Sequence, residues 1–220
     1  LVSLSTVLFM IGDFEQARRL RDGAGRIDPI YNFLVARLLI VDDLARHDDE
    51  AAKKRATKLT QSEGDMRGLG FAVLSLLARE KGDIVEAERT YRASVDANGV
   101  SGAFVESVIH SLKSRKAFGE TAKRLHDQAA LNPAFDPEVT FFLIGDHDGF
   151  FDALDARIAR GDTARFLTFM SMAWRLTSAG ERANQRFKTL ARKIGLVDYW
   201  KKHGWPDRCR AKGEDDFECS

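Results

Sequence analysis

A six-residue pattern returns along this chain at a fixed interval, and that interval limits the fold more than any other feature. It reads Gly12-Asp13-Phe14-Glu15-Gln16-Ala17, then His47-Asp48-Asp49-Glu50-Ala51-Ala52, then Gly82-Asp83-Ile84-Val85-Glu86-Ala87, then Ala117-Phe118-Gly119-Glu120-Thr121-Ala122. The closing alanines Ala17, Ala52, Ala87 and Ala122 advance by 35 residues each time, and a fifth copy ending at Ala153 follows after 31. A period of this size marks a stack of supersecondary units, each burying its apolar face against its neighbours.

Each unit reads as two helices. In the third, Phe71, Leu74 and Ala78 recur at helical spacing before Gly82-Asp83, and a second helix carries Ala87, Tyr91 and Val95 before Asn98-Gly99. Glycine or asparagine after the last apolar position ends a helix, and Asp83 is the expected N-cap of the next. Asp28-Pro29 and Asn132-Pro133 are expected to end the first and fourth units, with proline opening the helix that follows. The repeated alanine lets two antiparallel helices approach closely, while a residue such as Tyr91 fills the space one turn on.

Composition agrees with a folded chain of this kind. Of 220 residues, 44% are hydrophobic and only four are proline; the length allows one large domain or two small ones, but a solenoid of about six repeats fits without any boundary. The 34 basic and 33 acidic side chains leave a net charge of +1, which gives no argument for a nucleic-acid or anionic-membrane surface. Clusters such as Lys53-Lys54-Arg55 and Lys201-Lys202 read as solvated helix faces. No apolar run approaches the ~20 residues of a membrane span. Leu1, Leu4 and Leu8 have the spacing of a repeat helix, not of a signal peptide, and the chain opens in mid-repeat. It reads as part of a longer protein, with an unusual start codon as the alternative.

A helix ending in Gly-Asp-aromatic-Glu-x-Ala, an aromatic four residues later and Asp-Pro twelve on resembles the tetratricopeptide repeat, from Leu1 to about Arg160. His47 and Ala117 replace the turn glycine, and Gly99 stands where proline is usual. The resemblance implies an all-α fold: a right-handed α-solenoid of antiparallel helix pairs over residues 1–160. Residues 161–220 would form terminal helices and an aromatic-rich C-terminal cap. It also implies a concave groove lined by the first helix of each unit, placing Arg37, Leu69, Ala72, Leu76 and Arg79 there. Arginine beside apolar surface suits an acidic peptide or a C-terminal carboxylate; the plainer alternative is ordinary surface charge.

The tail differs in composition. Phe187, Leu190, Ala191 and Ile194 form one apolar face, Gly195 ends that helix, and Tyr199, Trp200 and Trp205 gather beside the Gly204–Pro206 turn. It reads as a plug sealing the last repeat, or else as a docking peptide. The only cysteines, Cys209 and Cys219, close a tail loop if oxidised and are small tail residues if reduced.

Phe187, Leu190, Gly195, Leu196, Tyr199, Trp200, Gly204, Pro206, Asp207, Cys209, Phe217 and Cys219 make this segment similar to the C-terminal end of bacterial regulators with tetratricopeptide arrays. Such arrays follow a winged-helix DNA-binding domain or a class III nucleotide cyclase domain. The resemblance implies a sensory or scaffolding region with a protein or peptide partner and an upstream effector. It implies a cytoplasmic setting, or a periplasmic one if a membrane span precedes Leu1. A free-standing adaptor is the third reading.

No catalytic constellation stands out. His47, His110, His126, His147 and His203 are scattered over different units, and His47 belongs to an inter-helix turn. Gly23-Ala24-Gly25 lacks the strand and third glycine of a dinucleotide loop and reads as a helix-end turn. Asp146-His147-Asp148-Gly149 with Asp152 lacks the ligand set of a calcium loop and reads as another turn. Neither a cofactor nor a metal is expected, and the chain reads as a non-enzyme.

Overall fold

The computed structural model describes residues 2–27, 32–97, 102–131, 136–213 and 216–219. The expected unit ends at Asp28-Pro29, Asn98-Gly99 and Asn132-Pro133 lie outside them. Among the described residues the chain is mostly helical. It forms α1 (Val2–Ile11), α2 (Phe14–Ile27), α3 (Asn32–Ala45), α4 (Asp49–Leu59), α5 (Gly64–Glu80), α6 (Ile84–Ala97) and α7 (Ala103–Lys113). Next come α8 (Phe118–Leu131), α9 (Pro137–Ile144), α10 (His147–Arg160), α11 (Thr163–Arg175), α12 (Glu181–Lys193) and α13 (Leu196–His203). A hairpin, β1 (Cys209–Lys212) and β2 (Asp216–Cys219), pairs antiparallel with Cys209 opposite Cys219. The all-α class stands, with this small hairpin as an addition.

One turn is used five times, and it explains the sequence motif. A residue in the left-handed region ends the first helix, and the aspartate after it opens the second. Gly12 (φ +91°), His47 (+58°), Gly82 (+79°), Gly145 (+80°) and Gly161 (+72°) fill the first place. Each donates its N–H three residues back and the following aspartate donates five back, as in Gly12 to Phe9 O (3.1 Å) and Asp13 to Leu8 O (3.0 Å). This pairing satisfies carbonyls that a helix end otherwise leaves orphaned. Asp13, Asp83 and Asp146 then accept from the amides of Gln16, Glu86 and Gly149 at 3.0–3.1 Å, capping the next helix.

The small residue of the motif sits where two helices cross. Ala17, Ala52 and Ala87 are fully buried. At the α5–α6 crossing the hydroxyl of Ser75 donates to Ala87 O at 2.7 Å, and at the α1–α2 crossing the buried Ser5 occupies the place two periods earlier. Gly70 shows how close these approaches are: a Cβ there would lie 2.7 Å from Ala56 O and 2.9 Å from Thr60 N of the neighbouring chain segment.

Two copies of the motif are shifted from the sequence reading. Between α7 and α8 no left-handed residue is used. Ser114 is extended and accepts from the Lys116 amide, and a 3-10 turn covers Arg115–Ala117. That geometry moves the buried position to Thr121, whose hydroxyl donates to Ser107 O at 2.9 Å, while Ala122 is only half-buried. In the fifth copy the turn is Gly145-Asp146, so the crossing residue is the fully buried Phe150 and not Ala153. Asp146 thus caps α10. Gly23-Ala24-Gly25 lies inside α2 and does not end it.

Packing divides the chain into two compact units, Leu1–Asp48 with Leu154–Ser220, and Asp49–Ala153. In the second unit α5 lies against α4, α6 and α9, and α7 against α6, α8 and α9. In the first, α2 joins α1 to α3, and α11 packs on both α1 and α3. Arg21 and Asp42 are both buried between α2 and α3 and form an ion pair, with Arg21 Nε also donating to Ser5 Oγ at 3.2 Å. Burial outweighs the neighbouring guanidinium and pushes the Asp42 carboxyl up to about 6.

Candidate functional site

The first unit brings together helices from both ends of the chain, and the tail is built around the α1–α2 turn. An aromatic chain runs from Phe9 and Phe14 (centroids 4.9 Å apart) through Trp174 (5.2 Å from Phe14) to Trp200 (5.8 Å from Trp174). Trp205 and Phe217 continue it, Phe217 lying 5.6 Å from each of the two tryptophans. Trp174, Trp200 and Phe217 are almost fully buried. Each indole removes roughly 150–250 Å² from water, worth about 4–6 kcal/mol in transfer free energy.

The polar contacts are specific to one turn. Trp174 Nε1 donates to Met10 O at 3.2 Å and Trp200 Nε1 to Ile11 O at 2.8 Å. The Asp207 amide donates to Gly12 O at 3.3 Å. The Asp207 carboxylate in turn accepts from the amides of Phe14 (3.0 Å) and Glu15 (3.3 Å). The carbonyls of Met10, Ile11 and Gly12 and the amides of Phe14 and Glu15 therefore find partners in α11, α13 and the segment after it. Gly12 is required twice, by its positive φ and because a Cβ would collide with Pro206.

Arg208 performs the opposite service at a C-terminus. Its Nη1 donates to Ala45 O, and Arg175 Nη1 donates to Leu44 O at 2.7 Å, so two guanidiniums meet the negative end of α3. Burial, and after it the charges of Arg46 and Arg175, lower the Arg208 pKa from its ordinary value. His47 adds a ring nitrogen 2.8 Å from Ser178 Oγ. The tail thus seals the first helix pairs, where the sequence reading places it on the last repeat.

The hairpin anchors the tail's far end. Cys209 and Cys219 are joined by a disulfide. Asp216 accepts from Lys188 Nζ and Arg192 Nη2, each at 3.0 Å, and the Lys188 bond chiefly lowers its pKa. Lys188 and Arg192 also stand 5.6 Å from the Phe217 ring.

The groove residues inferred from the sequence fall in both units. Leu69, Ala72, Leu76 and Arg79 form one stripe along α5, whereas Arg37 is exposed on α3 of the other unit. Leu69 and Ala72 are half-buried, but Leu76 is 3% exposed and is a core residue. The Arg79 guanidinium fills the space a side chain at Gly145 would take and lies 3.3 Å from Glu80 Oε1. His147 beside that turn has a lowered pKa, from burial first and the Arg79 charge second.

Among the described residues no group of three or more His, Cys, Asp or Glu side chains is placed to hold a metal ion. No helix there is long and apolar enough to cross a membrane. The contacts of Asp207 and Arg208 were missed by sequence reasoning, although an acid beside a base after a Trp-Pro turn is a usable signal for two opposed helix ends. No protein-family model, curated protein or solved structure matches this chain.

Proposed function

We propose that the chain is a non-catalytic protein-interaction module of tetratricopeptide type, a right-handed solenoid of antiparallel helix pairs. It would serve as the sensory or scaffolding region of a bacterial signalling or transcriptional regulator. The observation that carries this reading is the recurrence of one turn at Gly12, His47 and Gly82, 35 residues apart, each followed five residues later by a fully buried alanine. A chain that repeats its scaffold in this way offers an extended surface to a partner.

The partner class is an acidic peptide or one ending in a free carboxylate. Arg37 offers an exposed guanidinium in the first unit, and Arg79 stands beside the half-buried Leu69–Ala72 surface in the second. Fluorescence-polarisation titration of acidic, C-terminal and neutral peptides against wild type, Arg37→Glu and Arg79→Glu tests this. The reading expects one variant to weaken the best acidic peptide at least about tenfold. Acidic peptides binding no better than neutral ones, or both variants binding unchanged, would reject this partner class.

A further inference from the structure

We propose that the Cys209–Cys219 disulfide is a thiol–disulfide exchange site for a dithiol reductant, entered at Cys219, and that it controls the tail's hold on the α1–α2 turn. The bond spans the open end of the hairpin, where Cys209 faces Cys219. It borders a cleft of about 410 Å³ lined by Asp207, Arg208, Cys209, Arg210, Glu218 and Cys219. Cys209 is buried at 8% exposure while Cys219 is partly open, so Cys219 is the more accessible of the two residues.

Arg208 and Arg210 are engaged within this region, Arg208 donating to Ala45 O and Arg210 pairing with Glu218, so the direction of exchange rests on access: attack at the more open residue makes the buried Cys209 the leaving group. The attacking thiolate bonds to Cys219 Sγ, the Cys209–Cys219 bond breaks, and its electron pair leaves on Cys209. The second thiol of the reductant, once deprotonated, attacks its partner sulfur and releases the Cys219 thiolate. Two electrons pass to the protein, the reductant departs as a disulfide, and the two cysteines take up two protons as their pKa values require.

The disulfide couples two anchors. On the Cys219 side, Phe217 and Asp216 are fixed to α12 and α13 by the aromatic box and by Lys188 and Arg192. On the Cys209 side, the neighbouring Arg208 and Asp207 hold the ends of α3 and α2. Reduction leaves the first anchor in place and returns chain freedom to the second, since a two-stranded hairpin of four-residue strands is marginal alone.

The oxidised full chain is mixed with a thioredoxin-type protein whose second cysteine is serine, and the trapped mixed disulfide is mapped by peptide mass spectrometry. It is expected on Cys219; a trap found mainly on Cys209 overturns the site. Hydrogen exchange is then compared for the oxidised chain, the chain reduced with dithiothreitol, and a Cys209→Ser/Cys219→Ser variant. The Phe14 and Glu15 amides should exchange about 10- to 100-fold faster without the bond. The Glu86 amide, capped by Asp83 in the other unit, should not change. Unchanged Phe14 and Glu15 exchange at full thiol titre overturns the coupling, as does equal acceleration at Glu86. The reduced wild type keeps the test valid if the variant does not fold.

Discussion

Replacing Asp207 by alanine tests whether the tail is a structural part of the first helix pair. The substitution removes an acceptor 3.0 Å from the Phe14 amide and 3.3 Å from the Glu15 amide, at the positive end of α2. Asp13 still caps the Gln16 amide at 3.1 Å, so the helix keeps one of its two carboxylates. Loss of a capping acceptor costs about 0.5–2 kcal/mol. Loss of a negative charge at a helix N-terminus costs a further ~0.3–1 kcal/mol. Asp207→Ala should therefore destabilise the unit by about 0.8–3 kcal/mol, and Asp207→Asn, which keeps an acceptor, by about 0.3–1 kcal/mol. The three tryptophans of the chain, Trp174, Trp200 and Trp205, all belong to this unit, so urea unfolding followed by indole emission reports on it alone. An Asp207→Ala midpoint within about 0.3 kcal/mol of wild type would refute the argument, because a cap of this geometry costs more than that to remove.

Gly23 lies inside α2, where a Cβ would meet nothing within 4 Å, so Gly23→Ala should stabilise the same tryptophan transition by about 0.5–1 kcal/mol. A loss of stability would show that the backbone at Gly23 is not helical. The Asp42 carboxyl, held at about 6 against an ordinary 3.8, keeps its proton in the folded unit after the unfolded chain has released it. Its contribution therefore falls as pH rises from about 4 to about 6, by about 2–3 kcal/mol. Asp42→Asn should flatten urea midpoints over that window; an unaltered slope would refute the assignment.

Much of the scaffold is legible because its cause is local. A left-handed residue followed by an aspartate cap leaves Gly-Asp in the sequence, and a helix crossing leaves an alanine five residues beyond the glycine. Where the turn changes, the reading slips. Ser114 with its 3-10 turn carries no glycine, so Ala122 takes the credit that belongs to Thr121. Asp148-Gly149 imitates the motif three residues after the true turn at Gly145-Asp146. The apolar face of α12 and the stop at Gly195 are equally local, and both are read correctly. The destination of the tail is different. Asp207 meets Phe14 across 193 positions, and a contact at that distance leaves no periodicity for a sequence to display. The stripe on α5 shows a related limit: helical spacing selects Leu76 and Arg79 for one face, while the burial of Leu76 depends on neighbouring helices.

The discontinuous unit also sets an order of events during synthesis. Residues Asp49–Ala153 form a contiguous unit that can complete its contacts soon after the ribosome has made it. Helices α1 and α2 are made earlier, yet the groups that satisfy Met10, Ile11 and Gly12 arrive only with Trp174, Trp200 and Asp207. The α1–α2 turn is therefore finished only after Trp174, Trp200 and Asp207 have been made, and α1, with Leu4 and Val7 on its surface and no charged side chain, waits through that interval. Protection of this turn thus comes from groups 164 or more positions later in the sequence.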